Sequence, residues 1–142
     1  MKSKKLKNTR LQKIQSQKTY LTLLKEFVSF KTISTDLSFK KEMERAITWF
    51  LELFQKNKFD IKIIKGKNHN PVIIAKYVKN QSLKTFLVYG HYDVQPAHKD
   101  EGWKSEPFIL RKEKGRGKEN GKFIARGVVD NKGQILAHMT AV

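Results

Sequence analysis

The chain has 142 residues, with 30 Lys and Arg against 13 Asp and Glu, a net charge of +17, no cysteine and 39% hydrophobic residues. That length suits one domain and the apolar content permits a packed core, while the missing cysteines exclude disulfides and thiolate metal ligands. The lysines are spread along the chain with few aromatics between them, which favours solvated faces over a nucleic-acid surface.

Met1 to Lys18 carries Lys2, Lys4, Lys5, Lys7, Arg10, Lys13 and Lys18 and no acid, so residues 1–15 are expected to form a basic, disordered arm. No apolar run follows it as in a secretory signal. None approaches the ~20 residues of a membrane span, so a cytoplasmic protein without membrane contact is expected.

From about Ser16, Tyr20, Leu21, Leu24, Phe27 and Val28 share one helical face. The hydroxyl-rich run Thr32-Ile33-Ser34-Thr35 ends that helix. A second helix is expected from about Ser38, with Met43, Ala46, Ile47, Phe50, Leu51 and Phe54 as its apolar stripe. Asn57 is placed to be the left-handed residue that closes it.

The period then shifts. Ile61–Ile64 and Val72–Val78 read as strands around a turn from Gly66 to Pro71. Thr85–Tyr89 is apolar throughout and reads as a strand buried on both faces, ended by Gly90. Phe108–Leu110 and Lys122–Ala125 read as short strands flanking the Arg111–Gly121 loop. From Asn131 the pattern turns helical, with Ile135, Leu136, Met139 and Val142 on one side. That stripe meets no stop signal, so the reading is a truncated chain.

Gly90-His91-Tyr92-Asp93-Val94-Gln95-Pro96 follows the expected buried strand, where ligand sites of open α/β sheets form. Residues two apart in extended chain point the same way. His91 can thus act as a metal ligand with Asp93 orienting its second ring nitrogen. An ordinary surface hydrogen bond is the plainer alternative. Asp130, in Ala125-Arg126-Gly127-Val128-Val129-Asp130-Asn131-Lys132-Gly133, is either a helix cap or a carboxylate bridging two cations. His69 and His98 are expected at the surface, and His138 in packing or hydrogen bonding. Trp103 and Phe108 are expected to pack their loop onto the body.

The ordered motifs G-H-Y-D-V-Q-P, W-x-x-x-P-F at Trp103, Pro107 and Phe108, and A-R-G-V-V-D-N-K-G-Q closely resemble those of the carnosinase-like dipeptidases. These belong to a co-catalytic zinc peptidase family that also holds aminoacylases, acetylornithine deacetylases and glutamate carboxypeptidases. The resemblance covers nearly everything after Ser16. It implies an α/β fold, the N-terminal part of a zinc-peptidase catalytic domain with a mixed sheet flanked by helices, truncated and incomplete over residues 16–142. By resemblance His91 matches the first zinc ligand, Asp93 the catalytic carboxylate that steadies it, and Asp130 the carboxylate bridging both ions. The Asp130–Asn131 bond matches a position often cis in the family.

Two Zn2+ ions are implied, with Co2+ or Mn2+ as substitutes. The implied substrate is a small peptide or an N-acyl amino acid, and a homodimer is implied only for the longer protein. Ala125 replaces a usual Gly, and the Arg111–Asn120 loop is longer than usual. The family's Glu-Glu pair, a further carboxylate and a late His have no counterpart here. His91 and Asp130 alone are therefore expected to bind metal weakly or not at all, and the chain alone is expected to be inactive.

Overall fold

The computed structural model describes residues 17–67, 69–115 and 121–141. The basic arm 1–15, positions 116–120 of the long loop and the end of the terminal stripe at Val142 lie outside the described residues.

Helix α1 occupies 17–29 and turns Leu24, Phe27 and Val28 inward. A short 3-10 turn, Leu37–Phe39, leads into α2 (Lys40–Lys56). The Asp36 side chain starts that turn by accepting from the Ser38 amide at 2.8 Å, which satisfies a donor left open at a helical N-terminus. Met43, Ala46 and Phe50 are the buried residues of α2, the three- and four-residue spacing of a core-facing stripe.

The helices meet through aromatic rings. Phe27 stacks on Trp49 with centroids 5.3 Å apart and meets Phe50 edge-on at 4.8 Å. Such pairs add about 0.5–1.5 kcal/mol each beyond their buried area. The indole N–H of Trp49 donates to Glu26 Oε2 at 3.1 Å, so the ring's polar edge is also satisfied.

The end of α2 differs from the expectation. Asn57 is not left-handed (φ −96°), and Lys58 takes the positive φ of 61° instead. The Asn57 side-chain amide donates to Leu53 O at 2.8 Å. Tied to the last turn in this way, Asn57 stays close to helical geometry and the reversal passes to the next residue.

Strands β1 (Asp60–Ile64) and β2 (Val72–Lys76) form an antiparallel hairpin running from the pair Asp60–Lys76 to Ile64–Val72. The hairpin joins the helices through a chain of rings, Phe54–Phe59 at 5.2 Å and Phe59–Tyr77 at 5.1 Å, and through Ile73 on the core. A second hairpin joins β3 (Arg111–Glu113) to β4 (Lys122–Ile124). The strand expected at Phe108–Leu110 therefore lies just past it, at Arg111–Glu113, because Phe108 is used as a core plug. It is buried against Ile33 and Val94.

The largest correction concerns Thr85–Tyr89. This segment is no strand and is not buried: Phe86, Leu87 and Tyr89 are 86%, 95% and 86% exposed. A strand needs a neighbour for its N–H and C=O groups, and no described strand pairs with it. Apolar composition alone cannot supply that ladder. The chain is α/β, but among the described residues its strands form two antiparallel hairpins rather than one mixed sheet.

Helix α3 (Gly133–Met139) buries Leu136 in the helical core. Thr140 follows it, with backbone N–H and side-chain hydroxyl both donating to Leu136 O. None of the helices among the described residues is long and apolar enough to cross a membrane.

Candidate metal centre

Two segments carry the site, and the residues after α1 position both. Val94 pairs with Ile33 in an isolated parallel bridge. The Val94 amide donates to Thr32 O at 2.9 Å, and the Thr32 hydroxyl donates to Tyr92 O at 2.6 Å. Thr32, Ile33 and Val94 are buried. Residues 32–34 thus act as the edge that holds 92–94 extended.

In that extended stretch His91 and Asp93 share a face. His91 Nδ1 lies 3.0 Å from Asp93 Oδ1 and 3.2 Å from the Asp93 carbonyl. The Ser34 hydroxyl donates to the other carboxylate oxygen, Asp93 Oδ2, at 2.6 Å. Both oxygens of Asp93 are therefore engaged.

The second segment is a wide turn, Val128–Lys132, leading into α3. Gly127 opens it with φ 78°, and a Cβ there would come within 2.5 Å of Val94 Cγ1. Glycine is needed on both counts. Asp130 departs from helical geometry at φ −133°, ψ 91°, and the bond to Asn131 is cis. No side-chain cap is recorded at the start of the turn or of α3. The Asp130 carboxylate instead meets the imidazole, with Oδ1 2.9 Å from His91 Nε2.

Thirty-nine positions apart in sequence, His91 and Asp130 converge. Gly90 allows this approach, since a Cβ there would fall 2.5 Å from Ile135 Cγ1 on α3. Asp130 is 84% exposed at its side chain, so the pair sits at a rim open to solvent. Burial of the His91 ring pulls its pKa down. The bonds to Asp130 and Asp93 outweigh that effect, and the pKa is raised overall from 6.5. A ring facing carboxylates on both sides holds its second proton more tightly.

An imidazole nitrogen and a carboxylate oxygen are the donor types that zinc and related divalent ions take. A carboxylate on the far ring nitrogen is the usual support for a ligating histidine. The chemistry of the pair thus fits part of a metal site. It fits only part, because a catalytic zinc takes about three protein ligands. No group of three or more His, Cys, Asp or Glu suited to holding a metal occurs among the described residues.

The other histidines are elsewhere. His69, His98 and His138 are exposed, and His69 Nδ1 lies 2.8 Å from Asn70 O. Trp103 packs under the Arg126 guanidinium at 5.4 Å from the ring centroid.

Two supporting residues were not singled out from the sequence. Ser34 lay in a run read only as a helix stop. Lys132, fully buried at 0% exposure, donates from Nζ to Phe27 O at 2.9 Å and Phe30 O at 2.8 Å. Its ammonium also sits 4.8 Å from the centroid of the Phe27 ring. It ties the Asp130 turn to the end of α1. Its place two residues past Asp130 was the signal for it, in a turn whose other residues are exposed or half-buried. Burial presses its pKa down to about 7 against the pull of Glu42 and Asp93.

Residues 87–142 match the model of Peptidase family M20/M25/M40. The chain is 33% identical to the Cys-Gly metallodipeptidase DUG1 of Saccharomyces cerevisiae over 144 residues, covering 92% of this chain and 29% of that protein. It is 40% identical to the Beta-Ala-His dipeptidase of Homo sapiens over 72 residues, 51% of this chain and 13% of that one. Among solved structures it resembles the yeast dipeptidase Dug1p with a TM-score of 0.78 and 31% identity, over 91% of this chain and 29% of that chain. Human carnosine dipeptidase 1 gives a TM-score of 0.78 at 28% identity, over 88% of this chain and 27% of that chain. The chain thus spans less than a third of the length of these relatives. With its motifs, its fold and the family model in agreement, the chain belongs to peptidase family M20/M25/M40.

Proposed function

We propose that this chain supplies one side of the metal centre of a metal-dependent hydrolase that cleaves small peptides, dipeptides above all, with N-acyl amino acids as the related substrate class. The single observation that carries this reading is the meeting of His91 Nε2 and Asp130 Oδ1 at 2.9 Å in a chain of this family.

Family membership implies a divalent cation. The proposal makes it zinc, two ions in the complete site, with Co2+ or Mn2+ able to substitute. When bound, such an ion supplies Lewis acidity to the amide carbonyl and makes water more acidic. The residues of this chain have separate tasks. His91 presents Nε2, Asp130 presents Oδ1, and Asp93 holds the Nδ1–H of His91 so that the other nitrogen's lone pair faces the rim.

Two donors are too few for a working site, and the chain spans 29% of the length of the yeast relative. We therefore assign residues 16–142 to an incomplete catalytic domain, with the remaining ligands, the general base and any dimer-forming region outside it. On this reading the chain alone binds zinc weakly and does not turn over substrate.

The test is a chimera in which this chain replaces the matching segment of yeast DUG1. The expected outcome is hydrolysis of Cys-Gly and retained zinc. In the chimera His91→Ala should cost more than the about 10–100-fold that loss of a supporting partner costs. A His91→Ala chimera with full activity and full zinc content contradicts the proposal.

A further inference from the structure

We infer that Ser34 is a positioning residue for the candidate centre: its hydroxyl fixes the Asp93 carboxylate, which in turn sets the tautomer of His91. The inference deepens the metal-site reading and rests on it for its purpose, but its geometry stands without any metal.

Ser34 Oγ donates to Asp93 Oδ2 at 2.6 Å, and Asp93 Oδ1 lies 3.0 Å from His91 Nδ1. The three groups form one line of bonds from the 32–34 edge to the rim. An aspartate carboxylate rotates readily about its last torsion. With Oδ2 held by a hydroxyl, Oδ1 has one orientation, toward the imidazole. Ser34 is itself anchored, because neighbouring Ile33 is buried and bridged to Val94 and the Thr32 hydroxyl is bonded to Tyr92 O. The hydroxyl is therefore carried on the same pair of segments as the histidine it governs.

The consequence lies in the neutral ring. A histidine whose Nδ1–H is held by a carboxylate keeps Nε2 free as an acceptor or ligand. The Asp93 carbonyl, 3.2 Å from Nδ1, is a second and longer acceptor. Removing the Ser34 hydroxyl should therefore weaken the preference rather than abolish it.

The experiment records long-range proton–nitrogen NMR spectra of His91 in the metal-free 142-residue chain, at a pH where the ring is neutral. The wild type should populate both neutral forms, because Asp130 Oδ1, 2.9 Å from Nε2, also accepts a proton from the ring. Ser34→Ala should lower the ratio of Nδ1–H to Nε2–H by about fivefold, the effect of one ordinary hydrogen bond. Ser34→Thr, which restores a hydroxyl, should return it to the wild-type value. Thr48→Ala removes a hydroxyl on α2 whose bond is to Glu44 O, away from the 32–34 edge, so it should leave the ratio unchanged.

An unchanged ratio in Ser34→Ala overturns the inference, as does an equal loss in Thr48→Ala, which would reflect general loosening. Should Ser34→Ala not fold, Ser34→Cys keeps the volume with a weaker donor. A reduced ratio there supports the inference and a wild-type ratio overturns it. No metal or substrate enters the measurement, so it can fail while the hydrolase proposal survives, and the reverse.

Discussion

His91 faces a carboxylate at each ring nitrogen, Asp93 at 3.0 Å and Asp130 at 2.9 Å, and its raised pKa is the measurable sign of that arrangement. A histidine raised on folding contributes stability that is fully present below its unfolded value near 6.5. That contribution is lost as pH rises through the folded value. In the metal-free chain, Asp130→Asn should lower the His91 pKa toward 6.5 in an NMR titration, and an unchanged value would mean the two groups do not interact in solution. The H-x-D spacing was legible in the sequence because extended chain puts alternate residues on one face. The convergence of Asp130 across thirty-nine positions was reached only through family resemblance, since no local pattern encodes it. Ser34 was not legible, because a serine in a polar run carries no mark of the carboxylate it will meet.

At the scale of elements, α1, α2 and α3 follow from their apolar periods, which report directly which side must leave water. The segment 85–89 failed for a complementary reason: strand formation depends on a partner, and partners are not written locally. The turn Val128–Lys132 is held by a buried ammonium, which costs free energy in an apolar setting even when hydrogen bonded. Lys132 has a folded pKa of about 7 against 10.5 unfolded. Between those values the unfolded state binds more protons, so stability should rise as pH climbs from about 7 toward 10.5. The scale is about 1.4 kcal/mol for each tenfold change in proton affinity, a few kcal/mol in all. Urea unfolding across this range should show the slope in the wild type and lose it in Lys132→Met. A slope that persists in the variant would assign it to other groups. Phe27→Ala, at the junction of α1, α2 and the Lys132 ammonium, should cost about 3–5 kcal/mol in the same assay.

For the whole molecule, two surface features make predictions of their own. The exposed run Phe86, Leu87, Val88 and Tyr89 offers unpaired backbone and apolar side chains, the combination that templates association. Light scattering should show concentration-dependent aggregates that Leu87→Lys reduces severalfold, and an unaffected variant would place the contact elsewhere. The +17 charge should give only weak, strongly salt-dependent binding to duplex DNA, and tight binding that persists at physiological salt would favour a nucleic-acid role. The charge and the α/β class were legible from composition and order of elements, whereas the arrangement into two hairpins was not, because it depends on which strands find neighbours. The central claim remains that His91 and Asp130 face one divalent ion. It is tested most directly by titrating Co2+ into the chain and following the four histidines and Asp130 by NMR. The account predicts weak binding that perturbs His91 and Asp130 together and is lost in His91→Ala. Equal perturbation of His69, His98 or His138, or a response of His91 without Asp130, would contradict it.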